Sequence, residues 1–471
     1  MLKLKMNINN FRLALLPLML VLAGCSMAPH YQRPALPVDA KYDQATPVGN
    51  VADLPWQNFF TDATLRNLIQ MSLDNNRDLR VAALNVQEAQ QGVTVQRAAL
   101  MPSINATASQ TSAHEPANLY NTKTSGAVTY HELNSGLSVT SWELDFFGRL
   151  QSLSDQAQET YLSSAATERA TRISLIAEVA TAWLTLSSDN DLLHLAQRTA
   201  QSQQESYRLT KLSYDGGASS DQDLAQAEST VRAAQADVAS YTRQVRQDVD
   251  ALRLLVGTDL PATLLSHATL DANWQFPETP AGLPSDLLTR RPDIMAAEHT
   301  LKAANANIGA ARAAFFPSIT LTASGGSTSS SLGSLLGGGT GAWSFMPSIN
   351  LPIFDGGKNE ANLNIAHIEK RIDIADYEKA IQTAFKEVND ALAGQDTWQD
   401  QLTALQQEVG ANQRDYDYSE LRFKQGVDNY LNVLVAQRSL YSSQQSLISA
   451  HLGQLSQKIT LYKALGGGWK S

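Results

Sequence analysis

Arg97–Ser109, RAALMPSINATAS, and Arg312–Ser324, RAAFFPSITLTAS, agree at nine of thirteen positions with a constant offset of 215. The segments downstream of each copy also recur. Leu212, Gly217, Ala227, Gln235, Leu252 and Gly257 find Leu421, Gly426, Ala436, Gln444, Leu461 and Gly466, all at an offset of 209. A long motif carried twice in register marks a tandem duplication, and a fold built from halves. Neither half holds an obvious reaction centre, so function is to be sought in the shape the halves make together.

Each copy of the motif changes its period at a proline. Pro102 and Pro317 sit where helix gives way to strand, since proline removes a helix donor and sets an extended entry. Beyond them Ile104, Ala106 and Ala108 alternate with Asn105, Thr107 and Ser109, as Ile319, Leu321 and Ala323 do with Thr320, Thr322 and Ser324. Two further segments alternate: Gly136 to Leu144, with Leu137 and Val139 against Ser138 and Thr140, and Trp343 to Ile353, with Trp343, Phe345, Ile349 and Leu351 on one face. Period-two alternation is the signature of strands. They are expected near 103–113, 134–144, 318–328 and 342–353, apolar side out and polar side in. Trp142, Phe146, Phe147, Phe315, Phe316 and Phe354 cluster near strand ends, as an aromatic girdle would at a lipid boundary. Alternation alone equally fits a half-buried sandwich in a soluble domain. The loops between strands run from about His114 to His131 and Ser329 to Gly341; the second, SSSLGSLLGGGTG, joins strand to strand and so lacks the helix N-terminus of a phosphate cradle.

The remainder reads as unusually long helix. Arg149 to Asp215 contains no Pro or Gly over 67 residues, which as one helix would measure about 100 Å. After Gly216-Gly217, Leu224, Ala227, Val231, Ala234, Val238, Tyr241 and Val245 form a heptad seam, broken where Asp248 takes the next position and resumed at Leu252 and Leu255. The second copy keeps Val433, Ala436, Leu440, Leu447, Ala450, Leu461 and Ala464. No proline occurs after Pro352, so helix can run to Gln425 before turning at Gly426.

The N-terminus is an address. Lys3, Lys5 and Arg12 precede an apolar run from Leu13 to Ala23, laid out as a secretory signal and too short to span a bilayer comfortably. It ends in Leu22-Ala23-Gly24-Cys25, which resembles a bacterial lipobox, with Cys25 acylated as the first mature residue. Cys25 is the one cysteine, so no intrachain disulfide exists. The 36 Lys and Arg against 46 Asp and Glu give −10, and losing Lys3, Lys5 and Arg12 leaves −13, which argues against a nucleic-acid partner. The eight histidines are scattered, without metal-ligand spacing, so neither a metal, a cofactor nor catalysis is expected.

With no other segment apolar enough for a transmembrane helix, any crossing must be by strands. Four strands cannot close a membrane barrel, for which about eight is the minimum, and open edges are not tolerated in lipid. Several chains must therefore share one barrel. Three would give about twelve strands; two or four remain arithmetically possible. A tube of this kind suggests a duct.

Several stretches carry a resemblance over nearly the whole chain: Ala28-Pro29-His30-Tyr31-Gln32-Arg33-Pro34, Trp142 to Arg149 (WELDFFGR), Leu287 to Ile294 (LLTRRPDI), Arg312 to Ile319 and Leu351 to Gly357 (LPIFDGG). With the lipobox, they make the chain similar to the TolC-like outer-membrane factor family, in the branch of lipoprotein ducts for multidrug or copper and silver efflux. The resemblance implies a mainly α protein with a membrane β-barrel: a trimer with a twelve-stranded barrel, a periplasmic helical coiled-coil barrel and a mixed equatorial belt. Residues 1–24 would be a signal peptide, 25–61 the N-terminal arm, 62–257 the first repeat, 258–284 an equatorial linker, 285–465 the second repeat and 466–471 the C-terminal end. Implied partners are two further copies, outer membrane lipids, a periplasmic adaptor and an inner-membrane pump of the RND type. Drug efflux is the favoured reading because the eight methionines do not cluster as a copper path would. Copper or silver efflux, type I protein secretion and a structural envelope lipoprotein are the alternatives.

The resemblance also implies a gate. The turns Gly216, Gly217, Ala218, Ser219 and Gly426, Val427 would be helix tips where the adaptor docks. Leu431 matches a leucine that forms an apolar constriction, and Arg438 a recurring arginine. Asp428, Asp221 and Asp223 are the carboxylates near the tips. Two positions depart from the family: Val435 replaces an acid and Phe423 a tyrosine. An apolar ring is therefore expected to dominate closure.

Overall fold

The computed structural model describes residues 26–39, 41–42, 54–116, 126–265, 268–270, 274, 276–277, 279, 281–282 and 286–468. The signal segment and Cys25 lie outside the described residues. The principal elements are, in chain order, α1 (Ala63–Asn75), α2 (Arg77–Ala98), β1 (Ile104–Glu115), β2 (Val128–Leu144), α3 (Arg149–Asp215), α4 (Asp221–Val256), α5 (Pro292–Ala313), β3 (Ser318–Ser329), β4 (Gly341–Asn350), α6 (Lys358–Lys424) and α7 (Tyr430–Ala464). The chain divides into two compact units, one of Met1–Pro34, Val86–Ser164 and Ala297–Tyr377, the other of Ala35–Asn85, Ala165–Ala296 and Glu378–Ser471. Both repeats contribute to each unit.

The first unit is organised on a four-stranded antiparallel sheet in the order β1-β2-β3-β4. Its register places Ile104 opposite Val139, Val139 opposite Ala323 and Ala323 opposite Phe345, so the apolar sets of all four strands share one face. The strict alternation expected across Gly136–Leu144 does not hold. Between Val139 and Trp142, β2 carries one residue more than β3, and Ser141 takes the left-handed conformation (φ 54°) with its N–H donating to Thr322 Oγ1 at 3.2 Å. This bulge returns Trp142 and Leu144 to the face of Leu137 and Val139, which simple parity would deny them. Gly136 and Gly326 face each other across β2 and β3; a Cβ on Gly136 would come within 2.5 Å of the Gly325 carbonyl, so the close approach requires glycine.

Two strand ends differ from expectation. β2 begins at Val128 instead of near 134, because the hairpin is extended by side-chain bonds between Ser112 Oγ and His131 Nδ1 (2.8 Å) and between His114 Nδ1 and Thr129 Oγ1 (2.7 Å). β4 ends at Asn350, not near 353, since Pro352 has no N–H for a ladder. Below the sheet the two halves repeat one device. Asp145 Oδ2 accepts the N–H of Gln151 (2.7 Å) at the start of α3, and Asp355 accepts those of Gly357 and Asn359 (2.9 Å each) at the start of α6.

The N-terminal arm lies along α5. Arg33 grips Glu298 with two bonds (3.0 and 2.8 Å), Tyr31 Oη donates to the same carboxylate (3.2 Å), and Asn305 Nδ2 donates to the Pro29 carbonyl (2.7 Å). The buried Glu298 also meets Lys302 at 3.3 Å, so its charge is compensated.

In the second unit an aromatic cluster joins distant parts of the chain: Phe59 stacks on Tyr462 (centroids 4.0 Å) and on Phe276 (5.1 Å), with Phe60 edge-on to Phe59 (4.9 Å). Leu65, Leu68 and Ile69 of α1 and Leu252 and Val256 of α4 are buried in this unit. Arg291 is buried yet fully partnered, by Asp293 (2.6 Å), Glu387 (2.7 Å) and the Ala464 carbonyl (3.2 Å). That accounts structurally for Arg291-Pro292-Asp293 within the second repeat.

Candidate gate at the two helix turns

Both long-helix pairs reverse through the same backbone turn. After α3, Gly217 is left-handed (φ 76°) and Ala218 N–H reaches back to the Ser213 carbonyl (2.7 Å); after α6, Gly426 is left-handed (φ 74°) and Val427 N–H reaches the Arg422 carbonyl (3.0 Å). Each is a C-terminal cap in which glycine supplies the positive φ.

The side chains at the two turns differ. Ser220 caps α4 in a reciprocal box: Asp223 N–H donates to Ser220 Oγ (3.1 Å) and Ser220 N–H to Asp223 Oδ2 (3.1 Å). Ser219 Oγ adds a bond to Asp223 at 3.3 Å. Bonds from the Ser220 hydroxyl, the Ser220 N–H and Ser219 hold the Asp223 carboxyl below its ordinary range. Asp223 is thus engaged in capping, while Asp221 stands exposed beside it. At the second turn Asn429 is the N-cap and makes no capping bond. There Arg422 clasps Asp428 in a fork (Nε to Oδ2 2.6 Å, a terminal nitrogen to Oδ1 3.1 Å), and that guanidinium lowers the Asp428 carboxyl.

Phe423 lies 5.2 Å from Tyr430, whose ring joins Ala227, Val433 and Leu434 in a small core flanked by Tyr207 and Tyr416. All four long helices supply residues to it. Leu431 and Val435 point away from it, 52% and 54% exposed, and Arg438 continues the same face of α7 at helical spacing, also exposed. Gly216, Gly217, Ala218, Gly426 and Val427 are exposed, and Ser219 is half-buried. The structure therefore separates the candidates: Phe423 is exposed and touches the tip core only through Tyr430, Asp223 and Asp428 belong to turn closure, and Leu431, Val435 and Arg438 to one free stripe.

Above the tip core lies a buried polar layer not expected from the sequence. Gln203 Nε2 donates to Gln437 Oε1 (2.7 Å), Thr230 Oγ1 donates to Gln203 Oε1 (2.8 Å), and Gln437 Nε2 donates to Ser202 Oγ (3.1 Å). A satisfied polar layer of this kind fixes helix register at a cost in stability. Its one trace in the sequence is Gln437 among apolar neighbours of the second seam.

Comparison with known proteins agrees with the duplication and places the chain. The family model of outer membrane efflux proteins matches twice, over residues 68–258 and 283–467. The chain is similar to the toluene efflux pump outer membrane protein TtgC and the antibiotic efflux pump outer membrane protein ArpC of Pseudomonas putida. With each it is 49% identical over 456 residues, covering 95% of this chain and 94% of the relative. Its fold superposes on the open-state MtrE outer membrane channel of Neisseria gonorrhoeae with a TM-score of 0.86 at 38% identity, over 95% of this chain and 99% of that one. With both repeats matched and near-complete coverage of channel-forming relatives, the chain belongs to the outer membrane efflux protein family.

Proposed function

We propose that three copies of this chain form a gated duct that carries apolar organic compounds and antibiotics out of the cell. The observation that carries this reading is the sheet: four strands with two open edges, and an apolar face on which Trp343 is 82% and Ile349 70% exposed. Such a face is at rest only against lipid, and such edges only when paired with further copies. Copies of β1 and β4 pairing around a common axis would close a barrel of about twelve strands. Cys25 would carry the acyl anchor. The two turns, Gly216–Ser219 and Gly426–Val427, would receive a periplasmic adaptor that links the duct to an inner-membrane RND-type pump. Leu431 from each copy would supply the closure, with Arg438 and Val435 on the same stripe. The duct performs no chemistry of its own.

The relatives' names support organic cargo over copper, silver or protein. Deletion of the gene, scored against toluene, antibiotics, dyes, copper and silver, tests this: sensitisation to the organic compounds is expected, and sensitisation to the metals alone would overturn the cargo. Conductance of the purified protein in planar bilayers tests the duct itself. A protein that assembles yet never conducts would favour a structural envelope role.

A further inference from the structure

We propose that Asp189 of α3 and Asp248 of α4 form a proton-operated clasp: one shared proton holds the first helical hairpin shut near the end of α4 remote from the turn, and its loss loosens it. Asp248 is the residue that interrupts the apolar seam of α4. Ala227, Val231 and Ala234 are buried on one side of it and Leu252 and Val256 on the other. Between them the contacts of α4 turn polar: Tyr441 Oη donates to Asp237 (3.1 Å) and Gln445 Nε2 to Tyr241 Oη (3.0 Å), both from α7.

The two carboxyls cannot both be ionised without cost. Asp248 Oδ1 accepts from Gln244 Nε2 (3.0 Å), but Asp248 Oδ2 is buried with no donor when both acids are charged. A proton on Asp189 supplies that donor, and removes a like-charge repulsion in the same step. Burial first, then the hydrogen bond and charge of Asp248, push the Asp189 carboxyl up to about 7. Tyr241 is the other titratable group acting on the pair from α4. Asp191, half a turn further along α3, is occupied by the Leu270 N–H (3.0 Å) and faces His194 and Arg198. Beside Asp248 opens a cavity of about 540 Å³, into which Glu178 of α3, Glu387 of α6 and Lys463 of α7 also project. Glu387 is already held by Arg291. The cavity gives water a route to the Asp248 side of the pair.

The sign is set by proton binding. The closed hairpin holds a proton that the opened, solvated pair gives up, so closure weakens as pH rises from the ordinary carboxylate value toward about 7 and is level above it. The clasp lies within one chain and does not depend on the duct reading. Hydrogen exchange of the full-length protein, corrected for intrinsic pH dependence, reads it directly in peptides spanning 185–192 and 244–252. Opening is expected to rise by up to about tenfold per pH unit between pH 5 and 7 and then to level. Asp189→Asn should flatten that slope, because the amide donates without titrating, and Asp248→Asn should reduce it, because burial alone still raises the remaining Asp189 carboxyl. Peptides spanning Gln203 and Thr230 should show no slope in any variant. A level profile in the wild type, or an unchanged slope in whichever Asn variant assembles, overturns the proposal.

Discussion

The two helix turns share a backbone and differ in what locks it. Position by position at the offset of 209, Ser220 and Asp223 of the first turn become Asn429 and Asn432 of the second, and Ser219 becomes Asp428. The first turn is closed by short local hydrogen bonds within one helix start. The second is closed by an exposed ion pair that bridges the turn and by the Phe423–Tyr430 contact. Local capping bonds respond less to salt, whereas an exposed ion pair is screened by it. Duplication supplied two equivalent turns, and divergence left the second held by an ion pair that salt can weaken.

The largest expected contrast is functional. Leu431→Ala should raise resting conductance, while Ala at Gln222, its counterpart in the first turn, should leave it unchanged. Leu431 is half exposed within the chain, so its own fold should lose no more than about 0.5 kcal/mol. Single-channel recording beside trimer melting decides: an unstable trimer whose surviving channels stay shut would return Leu431 to packing between copies.

Next in size is the cap. Ser220→Ala should destabilise the first hairpin by about 1 kcal/mol, whereas Asn429→Ala, which removes no capping bond, should cost clearly less. Equal losses by local hydrogen exchange would break the contrast between the turns.

The ion pair gives a smaller, conditional effect. Raising ionic strength should increase exchange at residues 425–432 and spare 216–224, and Arg422→Gln should abolish that salt response. On acidification the sign is that of a depressed carboxyl: the contribution of Asp428 is present above the ordinary carboxylate value and is lost as pH falls through its lowered folded value. Asp223 responds in the same direction, so salt, not acid, separates the turns.

The smallest effect would sharpen the comparison by rebuilding it. Asn429→Ser with Asn432→Asp installs the first turn's capping box in the second and should stabilise it by about 0.5 kcal/mol or more. Slower opening kinetics in bilayers would tie turn stability to gating; unchanged kinetics would separate the two.

Much of this architecture is legible because it rests on residues with strong local consequences. The absence of Pro and Gly from Arg149 to Asp215 specifies α3, and Pro102 and Pro317 locate the changes from helix to strand. The turns at Gly217 and Gly426 are marked by the repeat. What escapes depends on pairs distant in sequence. Asp248 is visible as a flaw in the seam, but nothing local names Asp189, fifty-nine residues earlier, as its partner. Gln203, Thr230 and Gln437 are polar residues of the kind that usually face water, and only packing reveals them as buried. The capping box Ser220-x-x-Asp223 is a local signal that the gate expectation hides, because a carboxylate near a pore is read first as a pore charge.

The bulge at Ser141 has a further consequence for how this sheet can change over time. It works as a frame-shift suppressor written in three dimensions: the bulged backbone cancels the parity switch that a single surplus residue puts into the sequence of β2. Loss of one residue between Val139 and Trp142 would remove the surplus and restore regular alternation, leaving Trp142 and Leu144 on the face of Val139 and Glu143 on the polar one. Most single-residue deletions in a loop are absorbed locally. Here the same event inside a strand would be absorbed as well, because β3 already carries one residue fewer across that stretch, and the foot of β2 would hand the chain to α3 facing as before.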